Sequence, residues 1–197
     1  MGCIVSVAPV AKVRKGIIVS VIVLSNANKT FPIWFMKNAS EPGGLVVWDY
    51  HVIAVERREQ DGEEVVWDLD CALGFGIPFH SWATKSLRPG TQLREQYHQM
   101  FRVVSAADYL AGFASDRSHM RDATGEFKMP PPPQPCIVAK SGETHTLPKW
   151  WDMTHKEPGY GKVHDVKGLL RHFGVTLGSD LRDIREARTK ERPVQSR

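Results

Sequence analysis

The sequence predicts an α+β domain built on a mainly antiparallel sheet with packed helices. Segments typical of strands dominate the first half of the chain, and helical patterns are concentrated in the second half. The chain has 197 residues, of which 42% are hydrophobic, so it can bury one sizeable core. We expect a single domain over residues 16–190, preceded by a separate segment 1–15 and followed by a flexible tail 191–197.

The first half of the chain contains four predicted strands, at 17–24, 31–35, 45–56 and 64–69. The first is rich in β-branched apolar residues, which is typical of a buried strand, and a polar turn at 25–29 follows it. Pro32 places the second strand at a sheet edge, because proline donates no backbone hydrogen bond. Asp61-Gly62 lies between the last two strands and predicts a hairpin.

The second half begins with a loop-rich region at 74–89 and then favours helices. Helices are predicted from a cap at Thr91 to Met100, over 106–113, up to Phe173 and over 180–190, with a short strand at 101–104. Thr91 and Ser105 are residue types that cap helix N-termini, and Gly174 is typical of a helix end.

Residues 129–135 contain five prolines and predict an extended polyproline segment. Such segments are semi-rigid spacers, so within a compact chain we interpret this tract as a connector. A ligand for a proline-reading domain is the alternative.

Composition limits the classes of function. The net charge of +4 arises mainly from the last predicted helix and the tail, and no nucleic-acid-binding signature accompanies it. We therefore interpret the charge as a solvated helix face and expect no nucleic acid partner.

The three cysteines, Cys3, Cys71 and Cys136, are odd in number and irregularly spaced. They speak against a disulfide scaffold and favour a reducing compartment, the cytoplasm and also the nucleus. No CxxC or HExxH pattern indicates a metal site.

Two N-terminal features bear on membranes. The apolar run 16–24 is shorter than the ~20 residues that a spanning helix needs, and it lacks a signal-peptide cleavage site. Gly2 and Ser6 match the N-myristoylation pattern, with Cys3 placed for palmitoylation. Because so short a pattern often occurs by chance, we expect no membrane association.

Two motifs flank the predicted hairpin turn: Trp48-Asp49-Tyr50-His51-Val52 before it and Trp67-Asp68-Leu69-Asp70 after it. A histidine and a carboxylate on adjacent strands are typical of the base and orienter of a nucleophilic hydrolase. Asp68 would fix the tautomer of His51, and the second ring nitrogen would serve a nucleophile.

The strand register decides whether this pair forms. Pairing of position 51 with 68 brings the side chains together, whereas a slip of one residue sends Asp68 to the opposite face. Asp70 has the same parity and is the fallback orienter. The alternative is that His51 is a structural core histidine and that the carboxylates cap the end of the hairpin.

A second polar cluster, Ser115-Asp116-Arg117-Ser118-His119, contains the residue types of a serine hydrolase. It lacks the G-x-S-x-G elbow, so we interpret it as a polar loop. Cys71 and Cys136 are interpreted as buried thiols, because no neighbour in the sequence would lower their pKa.

Further segments of the sequence, taken together with the two hairpin motifs, resemble a known protein family. They are Val21-Ile22-Val23-Leu24-Ser25-Asn26, Pro32-Ile33-Trp34, Phe101-Arg102-Val103, Phe113-Ala114-Ser115-Asp116-Arg117-Ser118-His119-Met120, and the proline tract that leads to Cys136-Ile137. Together with the two hairpin motifs, in this order, they make residues 21–140 similar to the protein N-terminal glutamine amidohydrolase family.

The resemblance implies a papain/transglutaminase-like fold and a Cys-His-Asp triad in which His51 and Asp68 take the histidine and aspartate roles. The implied reaction deamidates an N-terminal glutamine of a protein to glutamate and releases ammonia, which feeds the N-degron pathway. A monomer that acts on protein or peptide N-termini is expected, and no metal or organic cofactor is implied. Asp49 and Asp70 are candidate partners of the substrate's α-ammonium group.

The sequence departs from the family at the nucleophile. The family's cysteine lies in an aromatic-Cys-Glu-Glu-Asn segment well upstream of the Ser25-Asn26 pair, but only 24 residues precede Ser25, and Cys3 is the one thiol among them. We therefore expect a truncated or alternatively started chain with little or no turnover. The alternative function is an inactive module that binds protein N-termini, anchored by acylation at Gly2 and Cys3.

Overall fold

The central strand of the main sheet, β1 (Ile17–Ser25), pairs antiparallel with two long neighbours in a computed structural model that describes residues 15–175. The order across the six-stranded sheet is β6-β5-β4-β1-β7-β8. The other strands are β4 (Tyr50–Arg58), β5 (Glu64–Trp67), β6 (Ile77–Pro78), β7 (Met100–Ser105) and β8 (Lys162–Asp165). Every pairing is antiparallel, as the sequence predicts.

Alternation along the strands divides the interior into two cores, one on each face of the sheet. Ile22 and Leu24 of β1 face the first core, and Val21 and Val23 face the second. A two-stranded ribbon of β2 (Phe31–Trp34) and β3 (Leu45–Trp48) contributes to the first core, as do α1 (Phe79–Trp82) and α4 (Val166–His172). The second core is covered by α2 (Ala106–Gly112) and α3 (Leu147–Trp151).

Several predicted elements are confirmed. The strand at 17–24 extends to Ser25, and the short strand at 31–35 belongs to the separate ribbon. Ser105 caps α2 by accepting a hydrogen bond from the Asp108 N–H at 3.0 Å. Gly174 follows α4 with a φ of +66°, the left-handed conformation that ends helices. The predicted helix at 180–190 lies outside the described residues.

The single strand predicted over 45–56 is wrong, because the chain divides at Asp49 into β3 and β4, which belong to different sheets. The Asp49 carboxylate accepts the backbone N–H of Tyr50 at 2.9 Å, and its carbonyl accepts the Ser25 hydroxyl at 2.7 Å. These bonds satisfy the backbone where the two ladders part. His51 consequently lies at the start of β4, beside this break.

The helix predicted to end at Met100 is also wrong, since residues Glu95–Tyr97 form only one 3₁₀ turn. The Gln96 carbonyl accepts hydrogen bonds from the Asn26 amide at 3.1 Å and the Thr30 hydroxyl at 2.7 Å. A continuing helix would need that carbonyl for the N–H of Met100, which instead begins β7. Contacts with Asn26 and Thr30, which are distant in sequence, therefore override the local helix signal.

The region expected to be loop-rich, 74–89, contains α1 and a π-helical turn over Ala83–Leu87. Phe79, Trp82 and Leu87 lie in the first core with a helical spacing that the flanking glycines and prolines obscured. No helix among residues 15–175 is both long and apolar enough to cross a membrane.

Arg102 of β7 is a wholly buried cation that organises the loop after α3. Its guanidinium donates to the carbonyls of Trp150 at 2.9 Å, Tyr160 at 2.9 Å, His155 at 3.0 Å, and also to that of Asp152. Backbone oxygens thus replace the water that the buried guanidinium has lost. This one side chain thus ties four backbone carbonyls of residues 150–160 to the sheet.

Replacing Arg102 with lysine is expected to lower the free energy of unfolding by about 3 kcal/mol or more, because an ammonium group cannot reach all the buried carbonyls. Urea denaturation measures the change. Arg57→Lys is the matched control, since Arg57 is exposed and 3.9 Å from Glu64, and it should change stability by less than about 0.5 kcal/mol. Equal effects of the two substitutions would contradict the role of Arg102.

Acid is expected to destabilise the domain through His164 of β8 and His172 of α4, whose rings lie 5.3 Å apart. Burial, above other causes, lowers the pKa of both histidines. The unfolded chain therefore binds more protons between the lowered and the ordinary histidine pKa, so stability falls as the pH falls through that window.

Thermal unfolding measured from neutral pH down to pH ~5 tests this effect. His164→Gln should flatten the pH dependence of Tm, whereas His98→Gln, on an exposed residue, should leave it unchanged. An identical slope in His164→Gln and the unsubstituted chain would exclude the histidine pair as the cause.

Candidate active site

His51 and Asp68 lie in direct contact in the interior of the protein. The His51 Nε2 atom is 3.0 Å from Asp68 Oδ1, and both side chains have 0% of their surface exposed. In this buried environment of low dielectric constant, a carboxylate and an imidazole interact more strongly than they would in water. The residues that the sequence singled out therefore form a closely coupled pair.

The register that brings them together differs from the pairing considered in the sequence. β4 and β5 pair Ala54 with Trp67, which by continuation would set His51 opposite residue 70 rather than 68. This shift of two residues keeps Asp68 on the His51 face, because side chains alternate with a period of two. Asp68 follows the last residue of β5 and reaches His51 diagonally.

Asp68 is held by two donors besides the imidazole. The backbone N–H of Asp70 donates to Oδ1 at 3.0 Å, and the Trp82 indole N–H lies 3.4 Å from Oδ2. Both carboxylate oxygens thus have partners, which fixes the orientation of the group that orients His51. Trp82 was not foreseen, because it lies in the region that the sequence presented as loop.

The other ring nitrogen of His51 has no such partner. Nδ1 is buried, and no hydrogen-bonding atom of residues 15–175, thiol sulfur included, lies within reach of it. Trp48 stacks on the imidazole with ring centroids 5.7 Å apart and planes 19° apart, so the ring has little freedom to turn. The pair is therefore held with one imidazole nitrogen occupied and the other available.

Neither described cysteine is placed as a nucleophile for this nitrogen. Cys71 is buried, and burial, foremost among several causes, raises the pKa of its thiol, which disfavours the reactive thiolate. Cys136 is exposed at the end of the proline tract, which corrects its interpretation as a buried thiol. Cys3 lies outside the described residues.

The cluster at 115–119 is a polar loop, as interpreted. His145 approaches both Asp116, at 2.9 Å, and Ser118, at 3.2 Å, through the same Nδ1 atom, and the three side chains are exposed. A serine triad needs one ring nitrogen for each partner, so this arrangement cannot relay a proton from serine to carboxylate. Hydrogen bonds from Ser118 are the main cause that lowers the pKa of Asp116.

Arg117 connects this loop to the polyproline tract. With a φ of +65°, it directs its guanidinium to the carbonyls of Pro132 and Pro135 at 2.9 and 3.2 Å, and to that of Gln134. The tract's backbone acceptors are thus engaged within the chain. This contact favours the connector interpretation over a proline-reading partner.

The two candidate partners of a substrate ammonium group lie in different surroundings. Asp49 is occupied at the break between β3 and β4 by the N–H of Tyr50. Asp70 lies beside Asp68, and its Oδ2 atom is buried with no hydrogen-bond partner among the described residues. Their roles remain predictions.

The fold and the site together define a class of protein: an α+β protein with a buried histidine-carboxylate pair, an arrangement typical of nucleophilic hydrolases. Comparison with known proteins identifies the family. The family model described as N-terminal glutamine amidase matches residues 8–173, and the chain belongs to this family.

Named relatives agree with this assignment. The chain is 42% identical over 135 residues to the protein N-terminal glutamine amidohydrolase of Arabidopsis thaliana, covering 68% of this chain and 61% of the relative. It is 38% identical over 150 residues to that of Oryza sativa subsp. indica, covering 75% of this chain and 62% of the relative. It is 35% identical over 156 residues to the Homo sapiens protein of the same name, covering 78% of this chain and 73% of the relative. The chain thus spans about three fifths of the two plant relatives.

The pairing of His51 with Asp68 predicts a single neutral tautomer, with the proton on Nε2 and Nδ1 bare. Nitrogen-15 NMR of the neutral imidazole should show this tautomer. Asp68→Asn should shift the population toward the Nδ1–H tautomer, because the asparagine amide N–H can donate to Nε2. An Nδ1–H tautomer in the unsubstituted protein would contradict the proposed orientation.

Proposed function

We propose that this chain carries the core of a protein N-terminal glutamine amidohydrolase, which converts an N-terminal glutamine to glutamate and releases ammonia. Family membership supports the reaction class, and the names of the relatives favour an enzyme over an inactive binding module. The observation that carries the proposal is the buried His51–Asp68 pair with Nδ1 left available, which is the arrangement that a thiol nucleophile needs.

The proposed mechanism uses both imidazole nitrogens. A cysteine thiol placed at Nδ1 transfers its proton to His51, and the thiolate attacks the carboxamide carbon of the substrate. The imidazolium, stabilised by Asp68, returns the proton to the leaving nitrogen, and ammonia departs as a thioester forms. His51 then takes a proton from water, which hydrolyses the thioester to glutamate and regenerates the thiol.

The same proposal covers the finer features of the family. We infer a papain/transglutaminase-like fold with the nucleophile facing His51 across the first core, and a Cys-His-Asp triad completed by a cysteine outside the described residues. Cys3, or a cysteine of the family's Cys-Glu-Glu-Asn segment in a longer form, would fill that place. We further propose a monomeric protein of the cytoplasm and nucleus, with Gln-initiated proteins or peptides as substrates and the N-degron pathway downstream.

Ammonia release from a short Gln-initiated peptide tests the function. The same peptide with an acetylated N-terminus is the substrate control. The assay compares this chain, its Cys3→Ala form, and a longer form that includes the Cys-Glu-Glu-Asn segment. In whichever form turns over, His51→Ala should reduce kcat at least about 10³-fold, because the remaining groups lack a base.

A matched control separates this site from the exposed cluster. His145→Ala removes a histidine that also contacts an aspartate, yet it should leave ammonia release unchanged. Turnover that survives His51→Ala, or that is lost in His145→Ala, would contradict the proposed site. Binding of the Gln-initiated peptide by every form, without ammonia release by any, would favour the binding module instead.

A further inference from the structure

Asp70 introduces a second carboxylate that the proposed mechanism does not use. Ligand atoms of His51, Asp68 and Asp70 all lie within 4.8 Å of one another. Asp70 Oδ2 is buried with no hydrogen-bond partner in the described part of the chain, and the neighbouring His51 and Asp68 side chains are wholly buried. A buried polar atom without a partner is costly, so Asp70 Oδ2 calls for a physical explanation.

The two carboxylates also lack a basic counter-ion. Among residues 15–175, no lysine or arginine forms an ion pair with Asp68 or Asp70. The nearby Lys37 instead donates its ammonium group to the Leu69 carbonyl at 2.7 Å. Among the described residues, the imidazole of His51 is thus the one group in contact with Asp68 that can carry a positive charge. Asp70 Oδ2 has no hydrogen-bond partner there, cationic or neutral.

We propose that His51, Asp68 and Asp70 form a binding site for one transition-metal dication, with Zn²⁺ as the best-fitting ion, and that the bound ion blocks His51. One imidazole nitrogen and two carboxylate oxygens are a ligand set that Zn²⁺ accepts, whereas Mg²⁺ and Ca²⁺ prefer oxygen ligands alone. Two ligand atoms of a tetrahedral Zn²⁺ lie roughly 3.3 Å apart. The 3.0 Å between His51 Nε2 and Asp68 Oδ1 therefore needs to open only slightly.

The surroundings of the three ligands suit such an ion. Asp70 is only partly buried, so it opens the cluster toward solvent while the other two ligands stay inside. Trp82 keeps its contact with Asp68 Oδ2, which leaves Oδ1 for the ion. The proton displaced from Nε2 moves to Nδ1, so that the imidazole stays neutral and binds the ion through the lone pair of Nε2.

The consequence for activity rests on the proposed function. An ion on Nε2 replaces the contact with Asp68 that supports the imidazolium, so His51 can no longer accept the thiol's proton. Zn²⁺ should therefore inhibit ammonia release reversibly, and a chelator should restore it. The binding claim does not depend on turnover and is tested separately.

Binding is measured first, by titration of the full chain with Zn²⁺ against a colorimetric chelator at neutral pH. Asp70→Asn, an isosteric change, should weaken the binding at least about tenfold. Asp61→Asn, at the exposed hairpin turn, is the matched control and should bind as the unsubstituted chain does. Equal affinity in the two variants, or no binding by the unsubstituted chain, would overturn the proposal.

Co²⁺ provides a second readout that reports the ligands directly. A site of one imidazole and two carboxylates should give weak d–d bands with no strong thiolate charge-transfer band. A thiolate band would place the ion on a cysteine and overturn the proposal. If no form releases ammonia while Asp70-dependent binding persists, the metal site stands and the proposed function fails, so the two outcomes are distinguishable.

Discussion

The pairing of β1 with a neighbour on each side is the constraint on which the other features depend. The second half of β1 is buried on both faces. The strand register sets Leu24 opposite His51 in β4 and Val23 opposite Arg102 in β7. Consecutive residues of a strand point to opposite faces. The same two positions of β1 therefore lie beside the histidine of the first core and the arginine of the second.

The fold provides hydrogen-bond partners for two buried charged groups, Arg102 and Asp68, in different ways. Arg102 is surrounded by backbone carbonyls, and Asp68 by one imidazole, one indole and one backbone N–H. Both are satisfied by chain segments distant in sequence, so they tie loops to the sheet. His51 differs, because only one of its two nitrogens has a partner in the described residues. A buried imidazole with one nitrogen held by a carboxylate and the other without a partner is the expected mark of a functional position.

How far the sequence predicts this structure depends on where the deciding contacts lie. The strand at 17–24 and the cap at Ser105 rest on local chemistry, and both are confirmed. The break at Asp49 was missed because apolar residues continue on both sides of it, and the break depends on Ser25, far away in sequence. The helix expected before Met100 fails for the same reason, since Asn26 and Thr30 capture its carbonyl.

The candidate site likewise combines features that local sequence patterns predict with features that depend on distant contacts. Alternation predicts the face on which His51 and Asp68 meet, and a register two residues away from the one considered preserves that face. No pattern in the sequence indicates that Trp82 closes over Asp68, because a helix of four residues leaves too short a periodic signal. The contact between His51 and Asp68 was therefore predictable, whereas the contacts with Trp82 and the Asp70 N–H that hold Asp68 were not.

The partial satisfaction of His51 connects the proposed catalysis with the proposed metal binding, because both use the ring nitrogens of His51. A base must keep one nitrogen unoccupied until the nucleophile arrives, and it must keep the other bound so that the ring does not turn. Asp68 meets the second requirement with an oxygen that is also a good metal ligand, and Asp70 adds another beside it. The arrangement that stabilises an imidazolium thus also attracts a dication. Sensitivity to transition metals follows from the same electrostatics that would make His51 an effective base, because both depend on negative charge that no lysine or arginine among residues 15–175 neutralises.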